Sequence, residues 1–148
     1  MPEIPKKTNL DQLLMRGFYW MDESLQRNLR AKGGPKVTHS QSMVILTIGE
    51  GVARPSAIAE RLGVSRQAVH QCLQELVRLK LVELVADPQD GRAKLARLSD
   101  QGMPVRIVAH EILFALEERL GERIGKRNLA ALRKSLEQDW GEPANLEE

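Results

Sequence analysis

Aromatic residues make up only 3% of this 148-residue chain, and cysteine occurs once, at Cys72. So few rings leave the core to Leu, Ala, Val and Ile, and a mostly helical protein is expected. A lone cysteine excludes an internal disulfide framework and cannot complete a multi-cysteine zinc site. No apolar run approaches the roughly 18 residues of a membrane span, and the opening Met-Pro-Glu-Ile-Pro-Lys-Lys lacks a signal-peptide-like apolar stretch. The expectation is a single domain over residues 1–148, cytoplasmic and without a membrane partner.

Charge is present in ordinary amount but unevenly placed. Residues 1–97 carry a formal +5 and residues 98–148 a formal −3. A basic front part followed by an acidic tail points to an anionic partner for the first part, and mixed surface charge explains it equally well.

Thr8 or Asn9 can cap a first helix in which Leu10, Leu14, Phe18, Met21 and Leu25 form one apolar stripe. It should end near Arg30, before Gly33-Gly34-Pro35. Thr38 and Gln41 form a Thr-x-x-Gln capping box for a second helix over about residues 39–48. Pro55 suits the first turn of a third helix and Gly63 its end. Ser65 caps a fourth, whose Val69, Cys72, Leu73, Leu76 and Leu79 share a face.

The runs 81–86 and 95–98 are β-compatible and flank residues 87–94, where Asp90-Gly91 is a hairpin-turn signal. Ser99 can cap the next helix, with regular helix from about residue 104 because of Gly102 and Pro104. Its stripe is Val105, Val108, Ile112, Leu116 and Leu120. Gly121 and Gly125 should interrupt the chain before a last helix bearing Leu129, Leu132, Leu136 and Trp140, and residues 141–148 should fray. The fold class is therefore mainly α with a small β-hairpin wing.

A short helix, a turn through Gly63-Val64-Ser65, a helix with a clean polar face and then a hairpin make a winged helix-turn-helix over residues 37–98. At 100° per residue, Gln67, His70, Gln71, Gln74 and Arg78 lie opposite the apolar stripe. Gln can pair bidentately with adenine and Arg with guanine or phosphate, so these are candidate DNA-reading residues. Arg66, nearer the edge of that face, suits a phosphate or an outer base. The helix start at Ser65 adds backbone donors for a phosphate. In the hairpin, Asp90 lies two residues before Arg92, close enough to orient its guanidinium, and Arg92 with Lys94 could enter a narrow minor groove. The plainer readings are a solvated helix face and a turn with incidental basic residues.

Pro55-Ser56-Ala57-Ile58-Ala59-Glu60-Arg61-Leu62-Gly63-Val64-Ser65-Arg66-Gln67-Ala68-Val69, the wing from Asp87 to Lys94, and Leu98-Ser99-x-x-Gly102 resemble the MarR family of winged helix-turn-helix transcriptional regulators. The resemblance implies N- and C-terminal dimerisation helices, here residues 9–31 and 104–140, pairing into a homodimer. It also implies the fourth helix in the major groove and Arg92 in the minor groove. The function so implied is a ligand-responsive repressor that binds double-stranded DNA at an inverted repeat and answers to a small-molecule effector. Two positions depart from the family's pattern. Lys80 stands where Gly commonly ends the reading helix, so the cap geometry differs or Lys takes a positive φ. Ser42 occupies an often aromatic position, which enlarges or rewets the neighbouring cavity.

Rival readings are a winged-helix protein-interaction module and a metal or redox sensor on the same scaffold. Cys72 falls among apolar neighbours and is expected to be a buried, inert thiol. His39, His70 and His110 lack a tight ligand spacing, so no metal or other cofactor is expected. Phe18, Tyr19 and Trp20 could line an effector pocket, although core or dimer packing suits them better. Cys72 and His70 point to different faces of one helix, no catalytic set appears, and an enzyme is not expected.

Overall fold

The computed structural model describes Glu3 and residues 6–147. Met1, Pro2, Ile4, Pro5 and the terminal Glu148, the last of the expected frayed end, lie outside the described residues. Eight elements follow in order: α1 (Leu10–Ala31), α2 (His39–Gly49), α3 (Pro55–Leu62), α4 (Arg66–Arg78), β1 (Val82–Asp87), β2 (Asp90–Leu98), α5 (Gly102–Ile124) and α6 (Lys126–Leu136). Six helices and one antiparallel hairpin make the mainly α, winged-helix architecture read from the sequence. Among the described residues no helix is long and apolar enough to cross a membrane. The chain divides into two compact units, Met1–Leu113 and Phe114–Glu148.

The helix starts follow from their caps. Asn9, rather than Thr8, opens α1: its side chain accepts from the Gln12 amide at 2.9 Å while Gln12 accepts from the Asn9 amide at 3.3 Å. Thr38 and Gln41 make the same reciprocal pair at α2, at 3.2 and 3.0 Å. Pro55 occupies the first turn of α3, and the Ser65 hydroxyl accepts from the Ala68 amide at 3.0 Å. Each bond satisfies a donor that the helix itself leaves open.

The helix ends share one closure. After α3, Val64 N–H reaches Ala59 O at 3.1 Å and Gly63, at φ +64°, donates to Glu60 O at 3.2 Å. After α4, Leu81 N–H reaches Leu76 O at 3.0 Å and Lys80 donates to Val77 O at 2.9 Å. This double bond pattern needs a left-handed residue, and Lys80 supplies it at φ +61°. The cap geometry is thus the usual one, held by a residue that pays steric strain for it.

The core of the first unit lies where α2, α3, α4 and the hairpin meet. Ile58, Leu73 and Leu76 are wholly buried, with Val44, Val69, Val82 and Ala96 beside them. A backbone bond of 2.8 Å from Ala96 N–H to Ala53 O ties β2 to the segment before α3. On α1, Asp22, Leu25, Gln26 and Leu29 are buried, whereas Leu10, first in the expected stripe, is exposed.

Four expectations need correction. The hairpin turn is Pro88-Gln89, and Asp90-Gly91 belongs to β2, because the Asp87 carboxylate accepts from Gln89 N–H at 2.9 Å and closes the chain earlier. Helix α5 begins at Gly102 rather than near 104: the Ser99 hydroxyl caps Gly102 N–H at 2.9 Å, which leaves Pro104 in the opening turns. Gly121 does not interrupt α5, which runs to Ile124, and only Gly125, at φ +96°, breaks the chain. In the second unit α6 stops at Leu136, so Trp140 lies beyond it, its indole N–H on Ser135 O at 2.9 Å.

Gly102 packs so closely that a Cβ there would stand 2.0 Å from Leu81 O. Gly102→Ala is therefore expected to destabilise the fold by about 3 kcal/mol or more. Lys80→Gly is expected to stabilise it by about 1 kcal/mol. Both are read from the urea midpoint at unchanged m-value, and a lower midpoint for Lys80→Gly would mean that the lysine stem's packing outweighs its strain.

Candidate nucleic-acid interface

The outer face of α4 exists because the inner one is buried. Val69, Leu73 and Leu76 point into the core, and Arg66, Gln67, His70, Gln71, Gln74 and Arg78 are all exposed. Ser65, also exposed, sits at the helix start. Of these side chains Gln74 and His70 are already joined, Nε2 to Nε2 at 3.1 Å. The side chains of Gln67, Gln71 and Arg78 make no hydrogen bond or ion pair among the described residues, which leaves their polar ends for an external partner.

The hairpin carries the second group. Register pairs Ala86 with Lys94 and Asp87 with Asp90, so Gly91, Arg92 and Ala93 have no partner on β1 and form a bulge at the tip. A bulge of this kind re-aims the side chains it carries. Asp90, Arg92 and Lys94 are exposed. The carboxylate of Asp90 does not hold the Arg92 guanidinium; it accepts from the Arg92 backbone N–H at 3.1 Å and so shapes the bulge instead. A short acidic side chain two residues back reaches the main chain more readily than the far end of an arginine.

Several residues of this region were not singled out from the sequence. Buried Asp87 anchors the hairpin: Arg54 Nη2, just before α3, lies 2.8 Å from its Oδ2. That approach lacks hydrogen-bond geometry, so it is an ion pair only, and Asp87 Oδ1 takes the turn amide. Glu75, on the edge of the inner face of α4, accepts from Gln41 of α2 at 2.6 Å. No sequence signal links residues 34 positions apart in this way.

Residues of α1, α2 and α5, with Leu81 and Leu98, line a partly open cavity of about 210 Å³. Most of its lining is apolar, Phe18, Leu25 and Val105 among it, with Asp22, Gln26, Ser42, Arg106 and His110 as polar members. Ser42 accepts from Gln26 Nε2 at 3.0 Å, whereas Gln26 Oε1 is buried without a partner. Of the aromatic trio only Phe18 lines the space, and exposed Tyr19 lies against His39 with ring centroids 4.7 Å apart. The sequence did carry a trace of this site, since Asp22 and Gln26 fall within the stripe shared by Phe18, Leu25 and Leu29.

Residues 36–93 match the family model described as MarR family. Among solved structures, the reduced form of MarR from E. coli superposes with a TM-score of 0.71 at 22% identity, covering 90% of this chain and all of that one (100%). NadR in complex with 4-hydroxyphenylacetate gives 0.67 at 18% identity over 92% and 95% of the two chains. YusO from Bacillus subtilis gives 0.60 at 21% over 87% and 96%. At such identities the likeness concerns the fold alone. No curated protein matches the chain.

Cys72 is half-buried on α4. Burial first, and the nearby Glu75 carboxylate second, push its thiol above the usual cysteine range. Because the thiolate is the reactive form, modification by a disulfide reagent such as DTNB is expected to be slower than for free cysteine at pH 7–8 and to catch up only at higher pH. A rate equal to that of free cysteine at pH 7 would contradict this.

Proposed function

We propose that this chain, whose residues 36–93 match the MarR family model, is a member of that family and a DNA-binding transcriptional regulator that reads a near-palindromic duplex as a homodimer. The observation that carries the reading is the outer face of α4, where the side chains of Gln67, Gln71 and Arg78 stand exposed without partners among the described residues. Amide side chains there match adenine edges and Arg78 a guanine or a phosphate. Ser65 and Arg66 serve the phosphates at the helix start. Gln74 and His70, which bond each other in the free protein, exchange that bond for contacts to bases or phosphates. Arg92, lifted on its bulge with Asp90 beneath it and Lys94 behind, enters the flanking minor groove.

The dimer is supported by apolar surface that one chain leaves bare. Leu132, Leu136 and Trp140 are exposed in the second unit, as are Leu10 and Leu13 on α1. Two such copies place their reading helices on half-sites one helical turn apart, about 34–36 Å. Repression by occupancy of the operator is the simplest regulatory outcome. A small effector fits the 210 Å³ cavity, which exceeds the roughly 150 Å³ that admits benzene. A structural neighbour, NadR, was solved in complex with 4-hydroxyphenylacetate. Such a ligand would act only through a different affinity for DNA-competent and DNA-incompetent arrangements.

Selection from random duplexes is expected to return an inverted repeat, bound with an affinity that falls steeply as salt rises because phosphate contacts release counterions. Arg92→Ala should weaken binding about tenfold with the dimer intact, and Gln71→Ala should relax base preference at one position per half-site by about 1–3 kcal/mol. A salt-independent complex with a protein, or no preferred duplex, would favour the interaction-module reading instead.

A further inference from the structure

Six polar side chains are buried among the described residues, and four of them, Asp22, Gln26, Gln41 and Ser42, gather at the first turn of α2. Burying polar groups costs free energy even when they are paired, and apolar side chains of similar shape would often be as stable. Stability alone therefore does not account for the cluster. Its connections run in two directions. Toward α1, His39 Nδ1 meets the Asp22 carboxylate and Ser42 accepts from Gln26 at 3.0 Å. Toward α4, Gln41 donates to Glu75 at 2.6 Å while its carbonyl holds the Thr38 amide at 3.0 Å. Asp22, Gln26 and Ser42 also wall the cavity.

We propose that this turn is the positioning element of the reading helix: Gln41, through Glu75, sets the rotation of α4 about its axis, and Gln26 through Ser42 links that setting to the cavity. The proposal rests on the DNA-reading function above and adds the regulation of that site. Apolar contacts of Val69, Leu73 and Leu76 hold α4 in place but are non-directional, so they tolerate a small roll. A charge-assisted bond at the edge of the same face is directional and does not. A roll of one residue's worth, 100°, would replace the whole reading face, so even a tenth of it shifts Gln67, Gln71 and Arg78 against the base edges by about an ångström. Because Gln26 Oε1 has no partner, anything in the cavity that offers it a donor also bears on its bond to Ser42, one residue from Gln41.

A side-chain exchange tests this. Gln41→Glu keeps the capping box, which Glu satisfies as well as Gln, but sets a carboxylate against Glu75. The double variant Gln41→Glu/Glu75→Gln restores a donor facing an acceptor. Hydrogen exchange over residues 66–78 of the free protein is expected to quicken about tenfold in the single variant and to return to within about threefold of the parent in the double. Affinity for the selected duplex should fall and recover by similar factors. Exchange unchanged by Gln41→Glu, or no recovery in the double variant, would overturn the proposal. Gln26→Leu is expected to quicken exchange over 66–78 as well, and an unaltered rate there would sever the link to the cavity. If no duplex is preferred by the parent protein, the DNA reading fails by itself, and the exchange measurements still decide whether this turn sets α4.

Discussion

Everything outward-facing in the winged-helix part depends on the burial of one stripe, Val69, Leu73 and Leu76, against Ile58 and Val44. Each such side chain contributes on the order of 2–5 kcal/mol that truncation would remove, more than any single exposed ion pair can supply. That stripe decides where α4 lies and, by the helical period, which residues must face away. The polar pair of Gln41 and Glu75 works at a finer scale, on angle rather than on location. Division of labour between non-directional packing and a few directional bonds is a general property of folded chains, and here the division falls along one helix.

The hairpin shows the same logic in a smaller element. Its two strands hold each other, while its attachment to the body comes from Ala96 on Ala53 and from Arg54 against buried Asp87. The tip is left to a bulge shaped by Asp90. Rigid base and re-aimed tip together present Arg92 without spending any core residue on it.

Much of this was legible in the chain itself. Helix starts were readable because Asn9, Thr38 and Ser65 cap by short-range chemistry that depends on residues three positions apart. The α4 faces were readable because a 3.6-residue period needs no knowledge of partners. What misled was local ambiguity: Asp90-Gly91 carries a turn signal, yet Asp87 and Pro88 closed the turn first. Gly121 looked like a break and proved to be a close contact for Leu129 of α6, with 3.1 Å available to a Cβ. The candidate site was half legible. The exposed residues of α4 lie on one periodic face, but Gln41 with Glu75, Arg54 with Asp87 and Ser42 with Gln26 are pairings across the fold that only three-dimensional placement reveals.

Ser99 joins these parts at a single seam. Its amide donates to Leu81 O at 3.0 Å, its hydroxyl meets Lys80 O and receives Gly102 N–H, and Gly102 itself leaves Leu81 no clearance. The end of α4, the foot of the hairpin and the opening of α5 thereby share the bonds of one residue. Whatever tilts the first turns of α5 also pulls on the arm that ends in Arg92, whose distance from the seam lengthens the sweep of its tip, as a short crank drives a long pointer.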